Sequence, residues 1–212
     1  FIYDNLMSPQ FLVIAYYTEN TPYEALAANL KKSLQQFGIA HHIEDIKDLG
    51  SWEKNTHHKA YFIKKCLTDR NQDLLCVDVD AVFKQYPSLI PDLTCDIAYR
   101  TQDFRWRKDE ALSGTIFLRN NDKVKRLVDR WIELNEATPA ERMKPETWEQ
   151  KNMQKAHREM SDIEYYNLPP EYTFIFDHMK TMYPGTSPVI EHYQESRNIN
   201  RPTNQNRNFR IR

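Results

Sequence analysis

The apolar run Leu74-Leu75-Cys76-Val77 stops on Asp78-Val79-Asp80, two carboxylates spaced i, i+2. A strand of this kind is buried until its end, and alternation then projects both carboxylates to one side, where water and ligand reach them. Two such charges repel each other, and a bound divalent cation turns that cost into attraction. A diphosphate travels with such a cation, so the pair points toward nucleotide or nucleotide-sugar chemistry. The plain alternative is a strand end that turns polar.

Other residue types limit how phosphate could be held. The glycines are Gly38, Gly50, Gly114 and Gly185, each at an expected junction or break, and no P-loop or Rossmann glycine cluster exists. Metal and basic side chains would have to do that work. His57 and His58 resemble a metal motif only superficially, since adjacent helical residues cannot both face one ion.

The elements that must position these groups follow from periodicity. Phe11 to Tyr17 is a continuous apolar run suited to a central strand. Thr21, Pro22 and Glu24 have the pattern of N-cap, first helical residue and capping-box acid, with Leu26, Leu30, Leu34 and Phe37 on one helical face. Gly38 ends that helix, and Ile39 to Ile46 is the next strand. A second helix is expected over Asn55 to Leu67, burying Ala60, Ile63 and Leu67. Strands are expected at Cys95 to Tyr99 and at Leu112 to Leu118, the latter interrupted by Ser113-Gly114, followed by a helix burying Val124, Leu127, Val128, Trp131 and Leu134. After about Pro139 the pattern weakens: a mostly polar helix over Glu146 to Met160, then short strands at Ile163 to Tyr166 and Tyr172 to Phe176. Alternating strands and helices predict an α/β sandwich with a mainly parallel central sheet.

The 212 residues, 40% of them hydrophobic, suffice for one domain with a sizeable core, expected over 1–197, leaving 198–212 as a tail or linker rich in Asn and Arg. Basic and acidic residues nearly balance at 29 against 30, so no general affinity for nucleic acid is expected. No stretch approaches the roughly 18–20 apolar residues of a membrane span. Cys66, Cys76 and Cys95 are odd in number and two lie in apolar runs, which favours a reducing compartment. A cytoplasmic location is expected, that of a host cell if the protein is viral. The chain begins at Phe1, so further domains beyond its ends remain open.

Taken together, the first strand with Tyr16-Tyr17-Thr18, the Asp78-Val79-Asp80 strand end, Leu112-Ser113-Gly114-Thr115 and the late Pro188-Val189-Ile190-Glu191-His192-Tyr193 resemble a GT-A glycosyltransferase. The likeness is to the small nucleotide-diphospho-sugar transferases of bacteria, phages and large DNA viruses, and it runs from about Phe11 to Arg197. It implies that Asp80 and His192 ligate Mn2+ or Mg2+, with Asp78 reaching the metal through water or touching the ribose. Hard carboxylate oxygens suit Mg2+, and an imidazole tilts the preference toward Mn2+. The resemblance also implies that Tyr16, Tyr17 and Thr18 receive base and ribose, although the two tyrosines face opposite sides of a strand and only one can stack easily. Lys59, one turn into its expected helix, and Arg100 are implied to face the donor phosphates, or else are ordinary solvated cations. Ser113 and Gly114 border donor sugar and acceptor, though a β-bulge would use Gly114 equally well.

Retaining enzymes of this type often carry Asp-Gln at the start of the late helix, where this chain has Glu149-Gln150. Gln150 is a candidate to stabilise charge at the anomeric carbon, and Asp177 is another candidate acid. The expected reaction moves a hexose or deoxyhexose from a nucleotide diphosphate sugar, UDP-linked by fold analogy, to a glycan hydroxyl, with a slight preference for retention. One alternative is a HAD-type phosphohydrolase with Asp78 as nucleophile, served by Lys123 or Lys125. Others are a noncatalytic glycan- or nucleotide-binding module and a structural protein.

Overall fold

The computed structural model describes residues 10–104, 107–138, 142 and 148–195. The expected tail 198–212 and the expected helix start at 146 and 147 lie outside them.

A six-stranded sheet has the order β2-β1-β3-β6-β5-β7. Its strands are β1 (Phe11–Thr18), β2 (His41–Ile46), β3 (Asp73–Val77), β5 (Ile97–Phe104), β6 (Arg107–Leu118) and β7 (Tyr165–Asn167). β1 pairs parallel with β2 and β3, and β5 parallel with β7, whereas β6 runs antiparallel to both β3 and β5. Five of the six strands therefore point one way. The expected α/β sandwich with a mainly parallel sheet is the observed architecture. A second sheet of three short strands, β4 (Ala81–Phe83), β8 (Phe174–Ile175) and β9 (Ile190–His192), has the order β4-β9-β8.

Alternation along β1 and β3 sorts side chains onto two faces. Leu12, Ile14, Leu74 and Cys76 pack under helices α2 (Trp52–Asp69), α3 (Asp122–Glu136) and α4 (Glu149–Arg158). Phe11, Val13, Ala15, Leu75 and Val77 pack on the other face, against α1 (Tyr23–Gln36) and the small sheet. All three cysteines are free and buried, consistent with their use as small hydrophobes. Among the described residues no helix is long and apolar enough to cross a membrane.

Local chemistry sets the helix ends. Glu24 reaches back to accept from the Asn20 amide at 2.7 Å, and the Thr21 hydroxyl accepts from the Tyr23 amide at 3.3 Å, so the reciprocal capping expected of Thr21 and Glu24 is spread over one residue more. Gly38 has a positive φ of 64° and closes α1, as glycine does after a helix. Ser51 caps α2 by accepting from the Lys54 amide at 3.2 Å, which starts that helix three residues before the expected Asn55. Lys59 consequently sits two turns into α2, not one.

Trp131 of α3 is wholly buried and donates its indole N–H to the Glu149 carbonyl at 3.1 Å. It fills the core and pins the first residue of α4 at once. Trp131→Ala is expected to cost about 3–5 kcal/mol, the usual range for truncating a buried aromatic. A urea titration followed by far-UV circular dichroism reads this as a lowered midpoint.

Candidate active site

β3 ends at Val77, and Asp78 to Ala81 form a turn in which the Ala81 amide donates to the Asp78 carbonyl at 3.0 Å. The two carboxylates were expected to share one side of a strand by pleat alternation. They converge instead because the chain turns at that point. β9 meets this turn through antiparallel pairing of Ala81 with His192.

The result is a cluster of Asp78, Asp80 and His192 whose ligand atoms lie within 4.8 Å of one another, the one such set of three among the described residues. His192 is 2% exposed, and its Nε2 is 2.8 Å from the Thr115 hydroxyl. When Nε2 donates there, the Nδ1 lone pair is left toward Asp80, whose Oδ1 is 3.8 Å away. That gap is too long for a hydrogen bond but falls in the roughly 3–5 Å between ligands of one ion held at 2.0–2.6 Å. Asp80 Oδ2 accepts from the Glu195 amide at 2.9 Å. Burial pushes the Asp80 carboxyl up; His192, in the form that carries a proton on Nδ1, together with the Glu195 amide more than offsets this, so in that form it ends below the ordinary carboxylate range.

Gly114 makes the approach possible. A Cβ there would sit 3.2 Å from His192 Cε1 and Nδ1 and 3.4 Å from Asp78 Oδ2. The segment also departs from its neighbour's register: Tyr99 pairs with Ile116 and Arg100 with Leu112, so β5 skips Ser113 to Thr115. The bulge and the close approach, posed as alternatives by the sequence, are the same feature. A donor set of two carboxylates and an imidazole, in a cradle that a methyl group would crowd, fits a divalent cation.

Beside this cluster lies a buried ionic network. Lys59, 6% exposed, places Nζ 2.8 Å from Asp78 Oδ1, 3.1 Å from the Ser113 carbonyl and 3.3 Å from Glu149 Oε1. Ser113 donates its hydroxyl to Glu149 Oε2 at 3.0 Å, while Glu149 Oε1 is buried and makes no hydrogen bond. Burial alone would lower Lys59, but Asp78 and Glu149 beside it hold it well above the usual lysine range, so it stays charged. Burial pushes Glu149 up, Asp78 pushes it further, and Lys59 and Ser113 only partly oppose them.

A cavity of about 480 Å³ opens over these groups. Tyr16, Tyr17, Thr18, Lys59, Asp78, Asp80, Ser113, Glu149 and Gln150 all line it. Tyr16 is packed against His58 and Phe62 and donates its hydroxyl to the Asn55 carbonyl at 2.7 Å, whereas Tyr17 is partly exposed on the opposite face. Tyr17 is thus the ring better placed to stack. Gln150 donates its amide to Glu110 at 3.0 Å, leaving its carbonyl for the cleft.

Two candidates lie elsewhere. Arg100 is buried outside the lining residues and spends its guanidinium on the Leu168 carbonyl (3.0 Å), Gln102 (3.0 Å) and the Tyr183 hydroxyl (2.6 Å). Asp177 is exposed, also outside the lining, and caps α5 (His178–Met182) by accepting from the His178 amide at 2.8 Å. Lys123, wanted near Asp78 by a phosphohydrolase, is 3.4 Å from Asp96. Spacing gave no role to Thr115, the Glu195 amide, Trp52 or Trp148. Thr115 carried a faint signal, a hydroxyl in an apolar strand next to its glycine.

No protein-family profile and no curated protein sequence matches the chain. Solved structures do. A glycosyltransferase involved in the glycosylation of the major capsid of PBCV-1 superposes with TM-score 0.67 at 15% identity, covering 88% of this chain and 93% of that one. The apo-form glycosyltransferase GlyE of Streptococcus pneumoniae TIGR4 gives TM-score 0.58 at 14% identity over 87% of this chain, which spans about half, 54%, of that chain. At such identities the likeness is one of fold, and that fold is GT-A-like.

Gly114→Ala tests the cradle with little cost elsewhere. Its methyl group is expected to displace His192 by a few tenths of an ångström and to weaken Mn2+ binding about tenfold, since small shifts among ligands cost on that scale. Titration calorimetry with Mn2+ alone reads it, and an unchanged affinity would rule out His192 as a ligand.

Proposed function

We propose that this protein is a metal-dependent glycosyltransferase that moves a hexose or deoxyhexose from a nucleotide diphosphate sugar, UDP-linked, to a glycan hydroxyl. The observation that carries this reading is the Asp78, Asp80 and His192 cluster, set at the turn between β3 and β4 where β4 pairs with β9 in a GT-A-like fold. Asp80 and His192 would hold Mn2+ or Mg2+, with Asp78 completing the set through Oδ2. The bound ion supplies electrostatic stabilisation of the charge that develops on the departing diphosphate.

The remaining roles belong to the chain's own side chains. Thr18 and the half-buried ring of Tyr17 receive the nucleoside. Lys59 fixes Asp78 Oδ1 and so turns Oδ2 toward the cluster. The sugar's hydroxyls meet a polar floor made by Lys59, Asp78 and Glu149, in which the partly exposed Asp78 carboxylate is the acceptor within reach. The Gln150 carbonyl faces the anomeric carbon as positive charge builds there. Every carboxylate lining the cleft already has a partner: Asp48 accepts from Gly50 and Asn55, Asp78 and Glu149 face Lys59, and Asp80 accepts from Glu195. Among the described residues that arrangement offers no carboxylate without a cationic or amide partner to activate an acceptor, which is in keeping with retention of configuration.

Removing one partner of a buried ion pair costs about 3–5 kcal/mol, so a Lys59 variant would mix folding with function. Asp80→Ala is the cleaner test. Calorimetric titration with UDP-, GDP- and dTDP-sugars is expected to show binding of a UDP-sugar only with Mn2+, nearly abolished in the variant. Unchanged binding in Asp80→Ala would overturn the metal site. Gln150→Ala is expected to slow UDP release from a sugar donor by at least about tenfold, and equal rates would remove Gln150 from catalysis.

A further inference from the structure

Two tryptophans at the mouth of the cleft have no part in the chemistry above. Trp52 is 36% exposed, lines the cavity and meets Trp148 edge to face, with ring centroids 6.1 Å apart and planes at 84°. An exposed indole stabilises a monomer little, and two set at right angles form a corner with one flat face and one wall. Both belong to the elements that build the polar floor. Trp52 and Lys59 are seven residues apart on α2 and so share its cleft-facing stripe, with Trp52 about 10 Å farther out along the axis. Trp148 directly precedes Glu149.

The cleft therefore has two aromatic sides. Tyr17 follows Val13 and Ala15 on the face covered by α1, whereas Trp52 opens α2 and Trp148 immediately precedes α4, helices on the opposite face. The carboxylate turn lies between. A ligand whose diphosphate sits at that turn sends its nucleoside to one side and its sugar to the other. The charged floor on the α2 and α4 side suits hydroxyl groups, not a base. The tryptophan corner lies beyond it, farther than a single ring reaches.

Resting on the transferase reading, we infer that Trp52 and Trp148 form the acceptor subsite, with the C–H face of a pyranose ring of the acceptor glycan stacked on Trp52 and bounded by Trp148. The apolar C–H face of a pyranose lies on the indole with its hydroxyls left to solvent; an indole would also stack on a base, so what selects the glycan is the polar floor between this corner and the nucleoside side of the cleft. Trp52 is a specificity-determining residue on this account, and its loss leaves the donor site intact.

The test follows tryptophan emission of the full chain during titration with methyl α-D-glucopyranoside, methyl α-D-galactopyranoside and methyl α-L-rhamnopyranoside, and separately follows UDP with Mn2+ by calorimetry. At least one glycoside is expected to give a saturable response. Trp52→Ala is expected to weaken it about tenfold or more and Trp52→Phe to keep it within about threefold, as stacking on any aromatic face predicts. UDP–Mn2+ affinity should stay within about twofold in both variants, and circular dichroism checks that they fold. A glycoside response unchanged in Trp52→Ala, or no response beside intact UDP–Mn2+ binding, overturns the acceptor corner alone. An equal loss of UDP–Mn2+ affinity in Trp52→Ala would make the corner a nucleotide shelf and overturn it too. Absence of UDP–Mn2+ binding in the wild type overturns the transferase reading instead.

Discussion

Lys59 is the constraint on which the rest of the site depends. Its ammonium is buried between the half-exposed Asp78 and the buried Glu149, and the charge of Lys59 or of Glu149 alone would be costly to hold away from water. The same contact orients Asp78, because Oδ1 is taken by Lys59 and Oδ2 faces Gly114 and the cluster. One lysine does not balance Asp78, Asp80 and Glu149. The floor of the cleft keeps an excess of negative charge, which a cation would neutralise and which bare diphosphate would avoid.

The sheet supplies what this charge arrangement needs. Because β6 is antiparallel to β3, it brings the middle of a strand, not a strand end, alongside Asp78. Three of its successive residues then act on the cluster: the Ser113 carbonyl holds Lys59, Gly114 makes room, and Thr115 orients His192. The helices contribute from the other direction. Trp131 binds the Glu149 carbonyl, and Asn135 links Asn152 of α4 to the His57 carbonyl of α2. The two helices that carry Lys59 and Glu149 are thereby fixed to one core, which holds the buried ion pair together.

The placement of Arg100 illustrates how a strand-end cation differs from a site cation. It follows an apolar strand in the sequence, as Asp78 does, yet β5 continues past it and its guanidinium turns toward Leu168 and Tyr183. Guanidinium has five donors in a fixed fork, and one backbone carbonyl, the Gln102 side-chain carbonyl and a phenol within reach engage each of its three nitrogens. Asp177 is a similar case, since a short helix beginning at the next residue gives its carboxylate a local amide to accept from.

Period-2 and period-3.6 patterns, with apolar runs closed by Gly, Ser, Thr and Pro, determined most of the elements and therefore the layered architecture. Val124, Leu127, Val128, Trp131 and Leu134 were bound to face a sheet whatever its strand order. The chemical character of the site was also local: two carboxylates after an apolar strand, a late histidine and a glycine inside a strand. Strand direction was not local, and β6 reads like its neighbours because antiparallel and parallel strands bury the same side chains. The partner of each charge was decided only in three dimensions. Lys59 meets Asp78 across 19 residues, Ser113 meets Glu149 across 36, and Thr115 meets His192 across 77. Side-chain periodicity records which face is buried, whereas an ion pair depends on where two faces meet, and that is set by packing.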